Sequence, residues 1–276
     1  MSFSKIMAFL SVLSPDSAVE LASGEALGAD CAVARVGSWP RLLTLVAERP
    51  ATGVVLDSEL LEGEGGADRC ESALVELATR FPSLWVVLVA RPSIDPLTLF
   101  RLGRRGIRSL VLARLEVVHL GVVDAIRGAV STSTESLVTS AFSAYLPARE
   151  NRAVRLALRG AQLGWGADEL AVRSGLTRAH MSVRLRAVGL PTAGHLLVWA
   201  KLLHAGRWLS DPGRSGESVS RQLDYSSGAA FRRALRNYVG ATPGQIRAQG
   251  GLAPILSSFG TACGIEPTTT GDRSAA

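Results

Sequence analysis

"DYSSGAAFRRALRNYVGATPGQIR", residues 224–247, decides how the second half of this 276-residue chain is read. Asp224 takes a turn position, Tyr225 follows as an apolar plug, and Ser226 or Ser227 supplies a helix cap. The helix that follows buries Phe231 and Leu235 at i, i+4 and ends on Gly240, with Pro243 just beyond. Taken alone, a basic helix of this kind is most simply a solvated face, so the rest of the chain has to settle it.

A second copy stands about fifty residues earlier. "DELAVRSGLTRAHMSVRLRAVGLPTAGHL", residues 168–196, carries the pair Leu170-Ala171 where the later copy has Val219-Ser220. Gly175 takes the place of Asp224, Leu176 that of Tyr225 and Thr177 that of the capping serine. Met181 and Leu185 repeat the buried spacing, and Gly189 with Pro191 repeats the stop. A short helix, a tight turn and a capped second helix make a helix-turn-helix, which can lay its second helix in a major groove. The amphipathic stretch "GHLLVWAKLLHAGRWL", residues 194–209, joins the copies, with Trp199 and Trp208 expected in the core.

Charge follows the same division. Residues 1–130 hold 13 Lys+Arg against 15 Asp+Glu, a balance of −2, whereas residues 149–249 hold 16 against 6, a balance of +10. A polyanion partner is therefore expected for the later segment alone. All the basic residues except Lys5 and Lys201 are arginine, a usage that a GC-rich genome also produces.

The first half alternates apolar runs with helix-like stretches. The runs are Phe9–Leu13 (extended back to Ile6 as a buried strand), Cys31–Val36, Gly53–Leu56, Leu84–Val89 and Ser109–Leu112. Short, continuously apolar strands separated by helices predict a parallel sheet covered on both faces. The fold class expected is α/β plus all-α: a flavodoxin-like doubly wound sheet, then a helical domain with two helix-turn-helix motifs. The boundaries expected are an α/β domain over 1–130, a linker over 131–148 marked by "STSTES" and Pro147, and the double-motif domain over 149–250. A tail poor in order is expected over 251–276, from its Gly, Ser, Thr and Pro content.

Other chemistry finds little footing. Cys31, Cys70 and Cys263 are scattered, and His119, His180, His195 and His204 form no ligand set with them, so neither a metal site nor a disulfide framework is expected. His180 reads as a helix-surface residue. "EGEGGAD", residues 62–68, has neither P-loop nor dinucleotide spacing and reads as a surface loop; "RLGRRGIR", residues 101–108, reads as a solvated face or dimer surface. No catalytic arrangement and no cofactor site is expected, and the chain is read as a non-enzyme. The opening residues loosely imitate a signal peptide but lack a small-x-small cleavage site, and no apolar run is long enough to span a bilayer. A cytoplasmic protein without membrane contact is expected.

Residues 149–248 resemble the DNA-binding domain of the AraC/XylS family of bacterial transcription regulators. Tyr225, Ser227, Phe231, Arg233, Leu235, Arg236, Gly240, Thr242, Pro243 and Arg247 carry the resemblance. Asp224 departs from the usual turn glycine, Ser220 from the usual alanine, and Val183 from the arginine that commonly reads bases in the first motif. The resemblance implies double-stranded DNA as partner, with RNA polymerase a further one. In the second copy Gly228, Ala229 and Arg233 are expected to face the groove, and Arg232 and Arg236 to meet phosphates or water. In the first, Arg178, Ala179, Ser182 and Val183 are the groove-facing candidates, with Arg186 toward the backbone and Arg184 open to either role. The alternative from another class is an interaction protein whose helical half has lost specific DNA binding.

Residues 6–130 resemble, in layout, the receiver domain of response regulators. Asp57 ends the third apolar run where receivers keep their phosphorylated aspartate. The acidic pair of that family falls on Ser14 and Pro15 with only Asp16 nearby, its hydroxyl residue on Val89 and its lysine on Ala113. The resemblance therefore implies a degenerate receiver acting in sensing or homodimer formation. Asp57 is expected to stand almost alone, as an inactive phospho-acceptor.

Overall fold

A computed structural model describes residues 8–265 except 28–30, 49–50, 63–65, 93, 105–108, 114–116 and 131–132. Two compact units divide it. One holds the described residues up to Ser133 together with Asp211–Arg214; the other holds Thr134–Ser210 and the described residues from Ser215 onward.

The first unit is the expected flavodoxin-like sheet. Strands β1 (Ala8–Leu13), β2 (Cys31–Arg35), β3 (Ala51–Asp57), β4 (Trp85–Ala90) and β5 (Ser109–Leu112) lie in the order β2-β1-β3-β4-β5. Every pairing is parallel. Helices α1 (Ser17–Leu27), α2 (Trp39–Glu48), α3 (Ser58–Glu62), α4 (Gly66–Arg80), α5 (Pro96–Arg104) and α6 (Val118–Val130) connect and follow the strands. The continuous apolar runs have a direct cause, since alternate residues of one strand enter opposite cores. Val54, Leu56, Leu88 and Ala90 pack with Leu42, Val46, Leu74 and Leu102 on one face. Val55, Val87 and Val89 pack with Val19, Val122 and Ile126 on the other. At the β3–β4 seam Gly53 lies under the Trp85 indole, and a Cβ there would come within 2.2 Å of the ring.

The second unit is all helical: α7 (Thr134–Phe142), α8 (Ala148–Leu163), α9 (Ala167–Arg173), α10 (Arg178–Ala187), α11 (Ala193–Leu209), α12 (Gly216–Gln222), α13 (Gly228–Val239), α14 (Pro243–Ala248) and α15 (Leu252–Ala262). Helix α11 is apolar nearly all round, as a central helix must be. It buries Trp199 and Trp208, as expected from sequence, and also His204. His204 bonds the Leu158 carbonyl at 3.0 Å and Gln162 at 3.2 Å, and stacks on Trp208. Burial pushes its pKa down to about 4.

Several expectations are corrected. The stretch 131–148 is not only linker, because α7 sends Val138 and Phe142 into the helical core and Leu146 follows them. The region after 250 is not wholly a loose tail. Helix α15 buries Ile255 and Phe259, the latter against Phe142 at 5.2 Å and Trp199 at 5.4 Å. Short α3 is not foreseen by the sequence. The glycine-rich 62–68, expected as a surface loop, instead gives Glu62 to α3 and Gly66–Asp68 to the start of α4, with 63–65 outside the described residues. Ile6, residues 105–108 of the arginine-rich run and residues 266–276 also lie outside them.

Candidate nucleic-acid interface

The two motifs share one turn, bond for bond. After α9, Gly175 adopts φ 70° and Leu176 N donates to Ala171 O at 3.0 Å; after α12, Asp224 adopts φ 60° and Tyr225 N donates to Ser220 O at 3.1 Å. Both turns need a left-handed residue to reverse the chain within so few atoms, and Asp224 is the one non-glycine with positive φ among the described residues. Thr177 then caps α10 by accepting from His180 N, and Ser227 caps α13 by accepting from Ala230 N. Met181 and Leu185, like Phe231 and Leu235, are buried at i, i+4, which fixes the opposite face of each helix outward.

The outward faces differ in chemistry. On α13, Ala229, Arg232, Arg233 and Arg236 are exposed, and no ion pair to the three arginines is found among the described residues. Gly228 is not open as expected: the Glu217 carboxylate of α12 lies over it, so that a Cβ would come within 2.2 Å of Glu217 Oε2. On α10, Arg178, Ala179, Val183 and Arg186 are exposed and Ser182 is half-buried. Val183 is 63% exposed and stands six residues past its cap, the position that Arg233 holds on α13. Arg178 reaches Asp168 at 3.4 Å across exposed surface. Arg184 points the other way, into an ion pair with buried Glu150 of α8. His180 is exposed, as read from sequence.

Residues around α13 hold it in place. Tyr225 packs on Phe231 at 5.3 Å under Lys201, and burial raises its phenol to about 12. Thr242 and Gln245 form a capping box that starts α14, and Arg247 Nε donates to Leu209 O at the end of α11. Arg247 thus ties α14 to the end of α11. Sequence reasoning missed the Glu150 pair with Arg184 and the lie of the Glu217 carboxylate over Gly228, both of which arise only once the helices are packed.

In the α/β unit Asp57 does end β3, and it is fully buried. It does not stand alone, which corrects the expectation. Arg91, the first residue after β4, bonds it through Nε to Oδ1 and Oδ2 at 3.1 Å and through Nη2 to Oδ2 at 2.6 Å. Ser14 Oγ donates to Oδ2 at 2.9 Å, Glu59 N to Oδ1 at 3.2 Å, and Asp16 approaches the same guanidinium at 3.3 Å. Asp57 holds the Arg91 guanidinium more firmly protonated than usual. The sequence carried a signal, an arginine directly after the apolar run 84–90, at the strand ends where such sheets bind ligands.

No group of His, Cys, Asp or Glu able to hold a metal is found among the described residues, and no described helix is long and apolar enough to cross a membrane. A family profile described as a helix-turn-helix domain matches residues 170–249, from within α9 to just past α14. No curated protein and no solved structure matches the chain. The chain therefore carries a helix-turn-helix domain in its second half, which supports a DNA-binding, regulatory role in general.

Proposed function

We propose that this chain is a sequence-specific DNA-binding transcription regulator of the AraC/XylS type, with α10 and α13 as recognition helices for successive major grooves. The observation that carries the reading is the repeated turn, which presents both capped helices by the same inward anchors. The exposed arginines 232, 233 and 236 give α13 the charge and reach for duplex DNA. Arg233 takes the base-reading role, Ala229 offers a small apolar contact, and Arg232, Arg236 and Arg186 grip phosphates. On α10, Arg178, Ala179, Ser182 and Val183 read shape and thymine methyls more than hydrogen bonds. Arg184, engaged by Glu150, positions α10 rather than reading bases.

The α/β unit acts as a degenerate receiver in sensing or dimerisation, with Arg91 occupying the carboxylate that phosphotransfer would need. Leu97 and Phe100 on α5, 57% and 63% exposed, are apolar surface that a homodimer would cover. RNA polymerase is the further partner that such a regulator in the cytoplasm would engage. A second reading, an interaction protein without specific DNA binding, draws on one observation: exposed Val183 where a guanidinium is expected.

Selection of bound duplexes from random DNA by the full chain tests the proposal. An enriched motif is expected, with affinity falling steeply as salt rises. Arg233→Ala should relax preference at one base pair by about 1–3 kcal/mol, whereas Arg236→Ala should weaken all sequences alike. No enrichment at low salt would favour the interaction protein, and identical profiles for the two variants would refute the assignment of Arg233.

A further inference from the structure

An open cleft of about 540 Å3 in the helical unit lies between the start of α8 and the first helix-turn-helix. That is within the size range of small-ligand sites. Met181, Arg184 and Leu185 of α10 line it, whereas Val183 and the other outward residues of that helix do not.

Its rim holds four arginines, Arg149, Arg152, Arg173 and Arg184, and a single acid, Glu150. Glu150 is engaged by Arg184. Arg173 pairs with Glu169 at 2.9 Å and lies over the Trp165 ring. Arg149 and Arg152 are exposed and have no ion-pair partner among the described residues. Even with Glu169 counted against Arg173, the rim keeps an excess of positive charge. Between the arginines the wall is apolar: Met181 and Leu185 are buried, Leu176 half-buried and Val172 71% exposed. Guanidiniums with unused donors beside the accessible apolar surface of Val172 and Leu176 suit a ligand with one charged end.

We infer that this cleft binds a small amphipathic anion, a carboxylate or phosphate head on a compact apolar body. Arg149 and Arg152 take the head, and Val172 and Leu176 take the body, over a floor set by buried Met181. Arg184 belongs both to the rim and to α10, so an anion competes with Glu150 for its guanidinium and alters how α10 is held against α8. That last coupling rests on the DNA-binding reading; the binding itself does not.

Phenyl phosphate titrated into the full chain by calorimetry tests the site, with inorganic phosphate as the head alone. One phenyl phosphate per chain is expected, about tenfold tighter than inorganic phosphate, a gap of about 1.4 kcal/mol from the buried ring. Arg149→Ala/Arg152→Ala should lose about tenfold or more, as removal of charged hydrogen-bond donors does. Both side chains are exposed, so the fold should survive; Val172→Glu, also at an exposed site, provides a second loss of binding by like-charge repulsion of the ligand. No saturable heat, or parent-like binding by both variants, would overturn the site. So would equal affinity for the two phosphates. Binding of phenyl phosphate by a chain that binds no DNA would support the cleft while removing the coupling; binding of DNA but no phenyl phosphate would overturn the cleft alone.

Discussion

Arg91 and Asp57 stand one residue past the end of β4 and on the last residue of β3, and the guanidinium meets both carboxylate oxygens. The carboxylate is fully buried and the arginine side chain 20% exposed, so water competes for this pair from one side only. An aspartate so engaged has no free oxygen with which to attack a phosphoryl donor. Incubation with acetyl phosphate and Mg2+ should leave the intact mass unchanged. Stoichiometric gain of a phosphoryl group, absent from Asp57→Ala, would contradict this. Asp57→Ala should instead lower the stability of the α/β unit by about 2–4 kcal/mol, because it takes the buried partner from a partly buried cation and leaves it only the more exposed Asp16 and Glu59. Denaturant unfolding measures that loss.

Gly53 makes a prediction of another kind. A methyl group there meets the Trp85 indole at 2.2 Å, between paired strands that cannot separate without losing ladder bonds. Gly53→Ala should cost about 1–3 kcal/mol or more, as overpacking does, and should do so although alanine is the better strand residue. Thermal unfolding that shows no loss would mean that the indole has another rotamer to use.

The second turn carries two local costs. Ser220 is buried with its hydroxyl unpartnered, at the position where the first motif has Ala171. Asp224 holds φ 60°, where the first motif has Gly175. Ser220→Ala should stabilise the helical unit by about 1 kcal/mol. Asp224→Gly should stabilise it by a similar amount, about 1 kcal/mol. Denaturant midpoints of the single and double variants give both values.

His204 sets an acid limit. Its pKa is about 4 in the folded chain against 6.5 for the free side chain, so the unfolded chain binds the proton first. Stability from this group is complete above about pH 6.5 and is lost as pH falls toward 4, by about 3 kcal/mol in all. His204→Phe, which does not titrate, should be less stable at neutral pH but lose less on acidification over that window. The difference between the two stability profiles isolates the histidine from the carboxylates that titrate nearby.

Val183 allows a gain-of-function test. It occupies the same step of its helix as Arg233 and is exposed, so a longer side chain there displaces nothing. Val183→Arg should tighten DNA binding about tenfold or less at low salt and add roughly one unit to the salt slope. Unchanged affinity in a gel shift would argue that α10 does not approach the duplex.

Reading the sequence found the strands because each is buried on both faces, which leaves an unbroken apolar run such as "LWVVLV". The repeated turns were legible for a similar reason: Gly175 and Asp224 stand at one spacing from a small residue and a cap. Contacts that depend on packing were not legible. Arg91 reaches Asp57 across 34 residues, and Arg184 reaches Glu150 across the same interval. Nothing local to either residue reveals its partner. Helix α15 was hidden by composition, since serine and glycine suggested a tail. Yet Leu252, Ile255, Leu256 and Phe259 keep helical spacing.

Helix α15 also bears on how the helical unit can be dissected. The profile-matched stretch 170–249 contains every outward arginine of α10 and α13 but not Phe142 or Phe259. Expressed as a fragment, it would leave Trp199 without the phenyl ring that packs on it and would lack α8, to which His204 is bonded. Such a fragment would be prone to aggregate, and a failed footprint from it would report a broken scaffold rather than an absent DNA site. A recombinant fragment suited to binding or crystallisation should begin before Thr134 and continue past Cys263.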